Sequence, residues 1–254
     1  MGMDAESDGE MGVGAVQKSF AILETLRDEE GLTIAEITRR TEMTKSTVYR
    51  HLRTLADMGY VIERDGAYFI GLRLLEIGQQ TRNREPGYTV AKRKVFELGR
   101  ETDERALFLV EEDYEGVYLY RYGNLSDTMI GERRPLHSLA SGKVILAEWD
   151  DEEVDRFVAE KGLEKRTENT ITDPADLAAE LDRIRDQGYA VNDEEHMIGL
   201  CGVSVPVHTP DGELLGALSL FGPASRFNDE SRRADLVDRL QDKAGEIRVT
   251  LAYG

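Results

Sequence analysis

The chain has 254 residues, with 50 Asp+Glu against 32 Lys+Arg, a formal net charge of -18 and a pI of about 4.7. Hydrophobic residues make up 40%, enough for one or two ordinary cores, which argues against a wholly disordered chain. Apolar runs such as Ala106–Val110 are strand-sized, well short of the roughly 18 residues of a membrane span, and a single cysteine, Cys201, excludes an internal disulfide and a multi-cysteine zinc site.

The first dozen residues hold Asp4, Glu6, Asp8 and Glu10 with no basic residue and no apolar stretch. They read as a disordered acidic tail over 1–12, the opposite of a secretory signal, so the expected location is the cytoplasm. From Val16 the spacing predicts a helix with Val16, Phe20, Leu23 and Leu26 inward. After Gly31, Thr33-Ile34-Ala35-Glu36 is a capping box that opens a short second helix with Ile34 and Ile37 inward. Thr44 is an N-cap for a third helix, with Val48, Leu52, Leu55 and Met58 as its apolar stripe and Gly59 just past its end. The other face carries Lys45, Ser46, Thr47, Tyr49, Arg50 and Arg53, and no acid stands between Thr44 and Thr54. Tyr60–Arg64 and Ala67–Ile70, joined by Asp65-Gly66, predict a type I′ hairpin. Three helices and a hairpin make a winged helix-turn-helix, whose third helix suits the major groove of DNA.

The net charge of -18 divides unevenly: -4 on residues 1–12, +1 on residues 13–84 and -15 on the rest. The acidity therefore does not sit where DNA would bind. At roughly molar salt the Debye length falls to about 3 Å, so acids one domain away hardly repel a duplex. An acidic, lysine-poor chain is what a salt-rich cytoplasm favours, and the balance reads as halophilic.

From Leu72 the pattern is helical again, with Leu72, Leu75 and Ile77, up to Glu85-Pro86, and predicts a linker helix over 72–87. Beyond it the reading is a helix over about Tyr88–Glu101 and strands at Ala106–Glu111, Gly116–Tyr122 and near Asp127–Glu132. Next come a helix over Val144–Trp149, charged helices over Asp150–Glu160 and Asp173–Gln187, and a strand from Tyr189. A hairpin of Gly202–His208 and Glu213–Phe221 follows, then a last helix over about Asn228–Leu251. This order predicts an α+β domain, an antiparallel sheet with helices packed on it. The domain boundaries expected are 1–12, 13–71, 72–87 and 88–254.

The stretches Val16–Leu23, Thr44–Leu52, Gly59-Tyr60-Val61, Gly71–Gly78, Leu136–Lys143, Gly188–His196 and Val203–Val207 occur in order along nearly the whole chain. Together they resemble the IclR family of transcriptional regulators. The resemblance implies a regulator that binds a palindromic promoter site on double-stranded DNA as a homodimer or dimer of dimers. Thr44 belongs with the DNA-binding set, Ser46, Thr47, Tyr49 and Arg50 are expected on base edges, and Lys45, Arg53 and the wing residue Arg64 on phosphates. It also implies a GAF-like C-terminal domain that binds a small organic-acid or sugar-derived effector and controls a catabolic operon. The implied pocket is lined by Ala140, Ser141, Asn192, Leu200, Gly202, Ser219 and Phe221. A carboxylate would suit the helix start after Ser138. Against family members that bind small 2-oxo acids, Asn192 stands where Asp is frequent, Gly202 where Cys occurs, and Phe221 where a small polar residue stands.

No catalytic residue, cofactor or resident metal is expected, and no membrane partner. Rival readings are an enzyme on the GAF-like domain using Cys201, His196 and Asp193, a zinc protein using His137, His196, His208 and Cys201, and a winged-helix protein that meets other proteins. Asp150–Glu153 is either a cation site or an acid-rich helix start.

Overall fold

A computed structural model describes residues 12–123 and 129–254. The chain divides into two compact units, Met1–Thr81 and Arg82–Gly254. The tail expected over 1–12 lies, except for Gly12, outside the described residues. No helix among the described residues is long and apolar enough to cross a membrane.

The first unit contains α1 (Gly14–Arg27), α2 (Ile34–Thr41), α3 (Lys45–Asp57), β1 (Val61–Arg64) and β2 (Ala67–Ile70), and α4 (Arg73–Arg82) begins from it. Its core joins Ile22, Leu23 and Leu26 of α1, Ile37 of α2, Val48, Leu52 and Leu55 of α3, and Val61 and Tyr68 of the hairpin. The Thr33–Glu36 capping box forms, with the Thr33 N–H donating to Glu36 Oε2 at 2.8 Å. Asp65 and Gly66 both take positive φ, 52° and 79°, as a type I′ turn requires. Two expectations for α1 fail: Val16 is 52% and Phe20 59% exposed. Ile22, a neighbour of the expected stripe, takes the inward place, because the face that meets α2 and α3 is centred one residue earlier than Leu23. Met58, at the end of the α3 stripe, is also exposed. The apolar residues expected on the linker helix, Leu72, Leu75 and Ile77, are exposed as well.

The second unit is a six-stranded antiparallel sheet, β3 (Arg105–Glu112), β4 (Glu115–Tyr122), β5 (Arg133–Pro135), β6 (Ala190–Asp193), β7 (Leu200–His208) and β8 (Leu214–Pro223), in the order β5-β4-β3-β8-β7-β6. Side chains alternate across it, as the two-residue period of a strand dictates. Ala106, Phe108, Val203, Val205, Leu218 and Leu220 face α5 (Pro86–Thr102) and α10 (Glu230–Tyr253). Leu107, Leu109 and Ala217 face α6 (Ala140–Ala147), α7 (Asp151–Lys161) and α8 (Pro174–Gln187). A short α9 (Ala224–Phe227) precedes α10. The α+β architecture is therefore the one read from the sequence.

Four boundaries differ. The linker helix expected over 72–87 is α4, Arg73–Arg82, and its last expected residues already belong to α5. The strand expected near Asp127–Glu132 falls partly on residues 124–128, outside the described residues; residues 129–132 form a turn, and β5 is Arg133–Pro135. α5 begins at Pro86, which sits in the first turn where it gives up no hydrogen bond. α6 begins at Ala140, four residues before the expected Val144. Gly142 permits this: a Cβ there would stand 2.0 Å from the Leu136 carbonyl oxygen, so only glycine lets the helix start press on the preceding turn. Asp150 caps α7 through the Glu153 N–H at 2.8 Å, which makes Asp150–Glu153 the helix start rather than a cation site.

Candidate functional site

The first unit presents one exposed basic surface. Thr44 Oγ1 accepts the Thr47 N–H at 3.2 Å and lies 2.9 Å from Thr47 Oγ1 and 3.1 Å from Ser46 Oγ. Thr44 thus fixes the start of α3 and orients the two hydroxyls beside it. Lys45, Ser46, Tyr49, Arg50 and Arg53 are exposed along the helix, and Thr47 is half-buried. Arg64 is exposed at the end of β1, next to the wing turn. Among the described residues, none of Lys45, Arg50, Arg53 and Arg64 is held in an ion pair, although acids pair with arginines over much of the chain. Their charge is available to phosphate. His51 is a packing contact: its Nδ1 lies 2.9 Å from Ser19 Oγ and ties α3 to α1.

In the second unit all seven residues implied for the pocket line one cavity of about 130 Å³, between the α6 start and the sheet face beneath it. That is the order of the ~150 Å³ that encloses one benzene ring. Arg105, Leu107, Tyr118, Arg134, His196 and Met197 also line it and were not expected. Among the described residues no Asp or Glu lines it, in a unit that holds most of the acids. Arg134 pairs with Glu132 at 2.7 Å. Arg105 has no ion-pair partner among the described residues.

Hydrogen bonds shape the cavity wall. Asn192 Nδ2 donates to the Ser138 carbonyl at 2.7 Å, and Asn192 Oδ1 accepts the Glu195 N–H at 3.1 Å. The amide is thus a brace between β6 and the α6 start. The Leu139 N-cap of α6 supplies no side-chain bond, so the first-turn N–H groups beside Ala140 and Ser141 are free for an anion. Ser219 Oγ donates to Ser204 Oγ at 2.8 Å, and Ser204 Oγ donates to the Leu218 carbonyl at 2.8 Å. A Cβ on Gly202 would lie 2.8 Å from the Phe221 Cβ and 3.0 Å from the Leu220 carbonyl oxygen, so glycine leaves this part of the cavity floor open.

Two of the lining groups stay neutral near pH 7. Burial, then Arg166, Arg134 and His137, push His196 down to about 4, so its ring is neutral near pH 7, with Nδ1 3.0 Å from Ser138 Oγ. Burial raises the Tyr118 phenol to about 12, so it stays a hydrogen-bonding hydroxyl. Behind Asn192, the ammonium of Lys143 is buried, 1% exposed, between Glu195 Oε1 at 2.6 Å and Glu180 Oε1 at 2.8 Å. Burial raises the Glu195 carboxyl from its ordinary value despite Lys143.

The nucleophile and zinc arrangements do not assemble. The Cys201 thiol is pushed up to about 11, by burial first and then by Asp193, to which it donates at 3.4 Å. His196 faces Ser138 rather than Cys201. His137 Nε2 lies 3.0 Å from the Glu164 carbonyl, and His208 Nε2 lies 2.9 Å from Glu148 Oε2. Among the described residues, the metal-ligating side chains that gather are Asp193, Glu194 and Cys201, and the four zinc candidates do not converge.

Comparison with known proteins matches these two units to two family models. The IclR helix-turn-helix domain matches residues 15–65, and the bacterial transcriptional regulator IclR C-terminal domain matches residues 84–249. The HTH-type transcriptional regulator KdgR of Escherichia coli (strain K12) is 34% identical over 95% of this chain and 94% of its own length. A probable HTH-type transcriptional regulator ArcR of Halobacterium salinarum is 27% identical over 99% of both. The crystal structure of the Thermotoga maritima IclR superposes with a TM-score of 0.82 at 31% identity, over 95% of this chain and all of that one. These relatives are regulators, not enzymes.

Proposed function

Since the chain belongs to the IclR family, DNA-binding transcriptional regulators with a C-terminal effector-binding domain, we propose that it controls a catabolic operon in response to a small organic acid or sugar-derived metabolite. The observation that carries the reading is the cavity: seven residues scattered from Ala140 to Phe221 meet around it, with two arginines and, among the described residues, no acid. An anion gains from the Arg105 charge and from the first-turn amides of α6. Ala140, Ser141, Asn192, Leu200, Gly202, Ser219 and Phe221 form its walls.

On DNA, α3 lies in the major groove, with Ser46, Thr47, Tyr49 and Arg50 on base edges. Lys45, Arg53 and Arg64 hold phosphates, and Thr44 sets the helix start against the backbone. Two copies, or a dimer of dimers, read the halves of a palindrome in the cytoplasm. The exposed Val16 and Phe20 give α1 an apolar surface for a second copy. The linker helix conveys the effector's preference between two arrangements of the winged domains. The acidic, lysine-poor balance and the Halobacterium relative favour a halophilic source.

The test is Thr47→Ala combined with Arg50→Ala, assayed by fluorescence anisotropy on promoter fragments recovered by chromatin immunoprecipitation. Loss of two base contacts should weaken specific binding roughly hundredfold or more. Unchanged affinity would overturn the assignment of α3.

A further inference from the structure

Four cavity residues are register partners in a single row across four strands. Arg105 pairs with Phe221, Phe221 with Gly202, and Gly202 with Asn192. Directly paired residues project from the same face of a sheet, and all four line the cavity. The row therefore runs across the cavity floor, with Arg105 at one end and Asn192 at the other. Asn192 holds the Ser138 carbonyl, so the free first-turn amides of α6 stand over the Asn192 end. Between the ends the floor is Gly202, which has no side chain, and the ring of Phe221.

Three strand spacings of about 4.8 Å place the Arg105 and Asn192 backbones roughly 14 Å apart, so the two ends of the row are separate points on the cavity floor. Arg134, the other arginine of the cavity, is already paired with Glu132, whereas Arg105 has no ion-pair partner among the described residues. Among the described residues, the acids so frequent elsewhere in this unit are missing from the lining.

We infer that the effector is a dianion: one carboxylate sits on the α6 amides, and a second anionic group, carboxylate or phosphate, is clamped by Arg105 at the other end of the row. Arg105 is the residue that selects for that second charge, through a bidentate hydrogen-bonded pair that a neutral tail cannot form. The inference rests on the reading of this cavity as the effector site.

The experiment is isothermal titration of the full-length protein at constant high salt, using two matched pairs of probes. Succinate against butyrate tests a second carboxylate; 3-phosphoglycerate against glycerate tests a phosphate. The dianion of at least one pair should bind roughly tenfold tighter or better than its monoanion. Arg105→Gln should erase that advantage, and Arg105→Lys should keep part of it, since Lys keeps the charge and loses the fork. Circular dichroism of both variants reports that the fold is intact. Equal affinity for mono- and dianions, or a dianion preference that survives Arg105→Gln, overturns the inference and leaves the effector site standing. If none of the four acids binds, the effector-site reading falls with it.

Discussion

Asn192→Asp tests whether the α6 start is held in place by the Asn192 amide. The substitution removes the donor that reaches the Ser138 carbonyl at 2.7 Å and sets a carboxylate oxygen against that carbonyl. The bond to the Glu195 N–H at 3.1 Å can persist. One buried acceptor is left unpaired and one repulsive contact is added, a cost of about 1–3 kcal/mol when the introduced carboxyl is charged. For a domain of this size, that lowers Tm by about 3–10 °C. The sign with pH follows from the same contacts. Burial, the Ser138 carbonyl and the nearby Glu195 all disfavour the charged form, so the introduced carboxyl titrates above its unfolded value of about 3.9. A protonated carboxyl can donate to Ser138, so the variant should match the parent best below that value and fall behind as pH rises through its folded pKa. Differential scanning fluorimetry of both proteins from pH 5 to 8 should show a widening Tm gap. A gap near zero at pH 8, or one that narrows as pH rises, would refute the brace.

Two further predictions concern charge under the cavity. Lys143→Met leaves Glu195 and Glu180 without their shared cation and should cost about 3–5 kcal/mol, with partial recovery when Glu195→Gln is added; a Tm unchanged by Lys143→Met would contradict the buried triad. His196 carries a folded pKa of about 4 against an ordinary 6.5. Its contribution to stability is complete above pH 6.5 and is lost as pH falls toward about 4, so His196→Gln should flatten chemical-denaturation stability over that window. Equal slopes for variant and parent would exclude a buried neutral ring.

What the sequence made legible was local. The Thr33–Glu36 box, the Thr44 cap and the Asp65-Gly66 turn act within four residues, and each formed as read. The pocket walls were legible through family resemblance, since Ala140, Asn192 and Ser219 lie far apart in the chain. Arg105 was not legible, because its neighbours depend on β3 pairing with β8, more than a hundred residues away. The Lys143–Glu195 pair was hidden for the same reason, as a helix residue meets the loop after β6 only once the sheet has closed. Val16 and Phe20 misled because helical spacing names a stripe without saying which way it faces. The short β5, Arg133-Arg134-Pro135, carries no strand signal: it is an edge held by pairing with β4 rather than by propensity.

The proposed switch is occupancy of the cavity between the α6 start and the sheet, which governs binding to DNA. Ser219 lines that cavity and is buried, so Ser219→Trp fills it while leaving the winged unit untouched. The direct measurement is a genome-wide binding map of parent and Ser219→Trp in cells shifted between carbon sources. Both proteins should occupy the same palindromic sites, with occupancy that changes with carbon source in the parent and stays constant in the variant. Occupancy of the variant that follows the carbon source as the parent's does would contradict it.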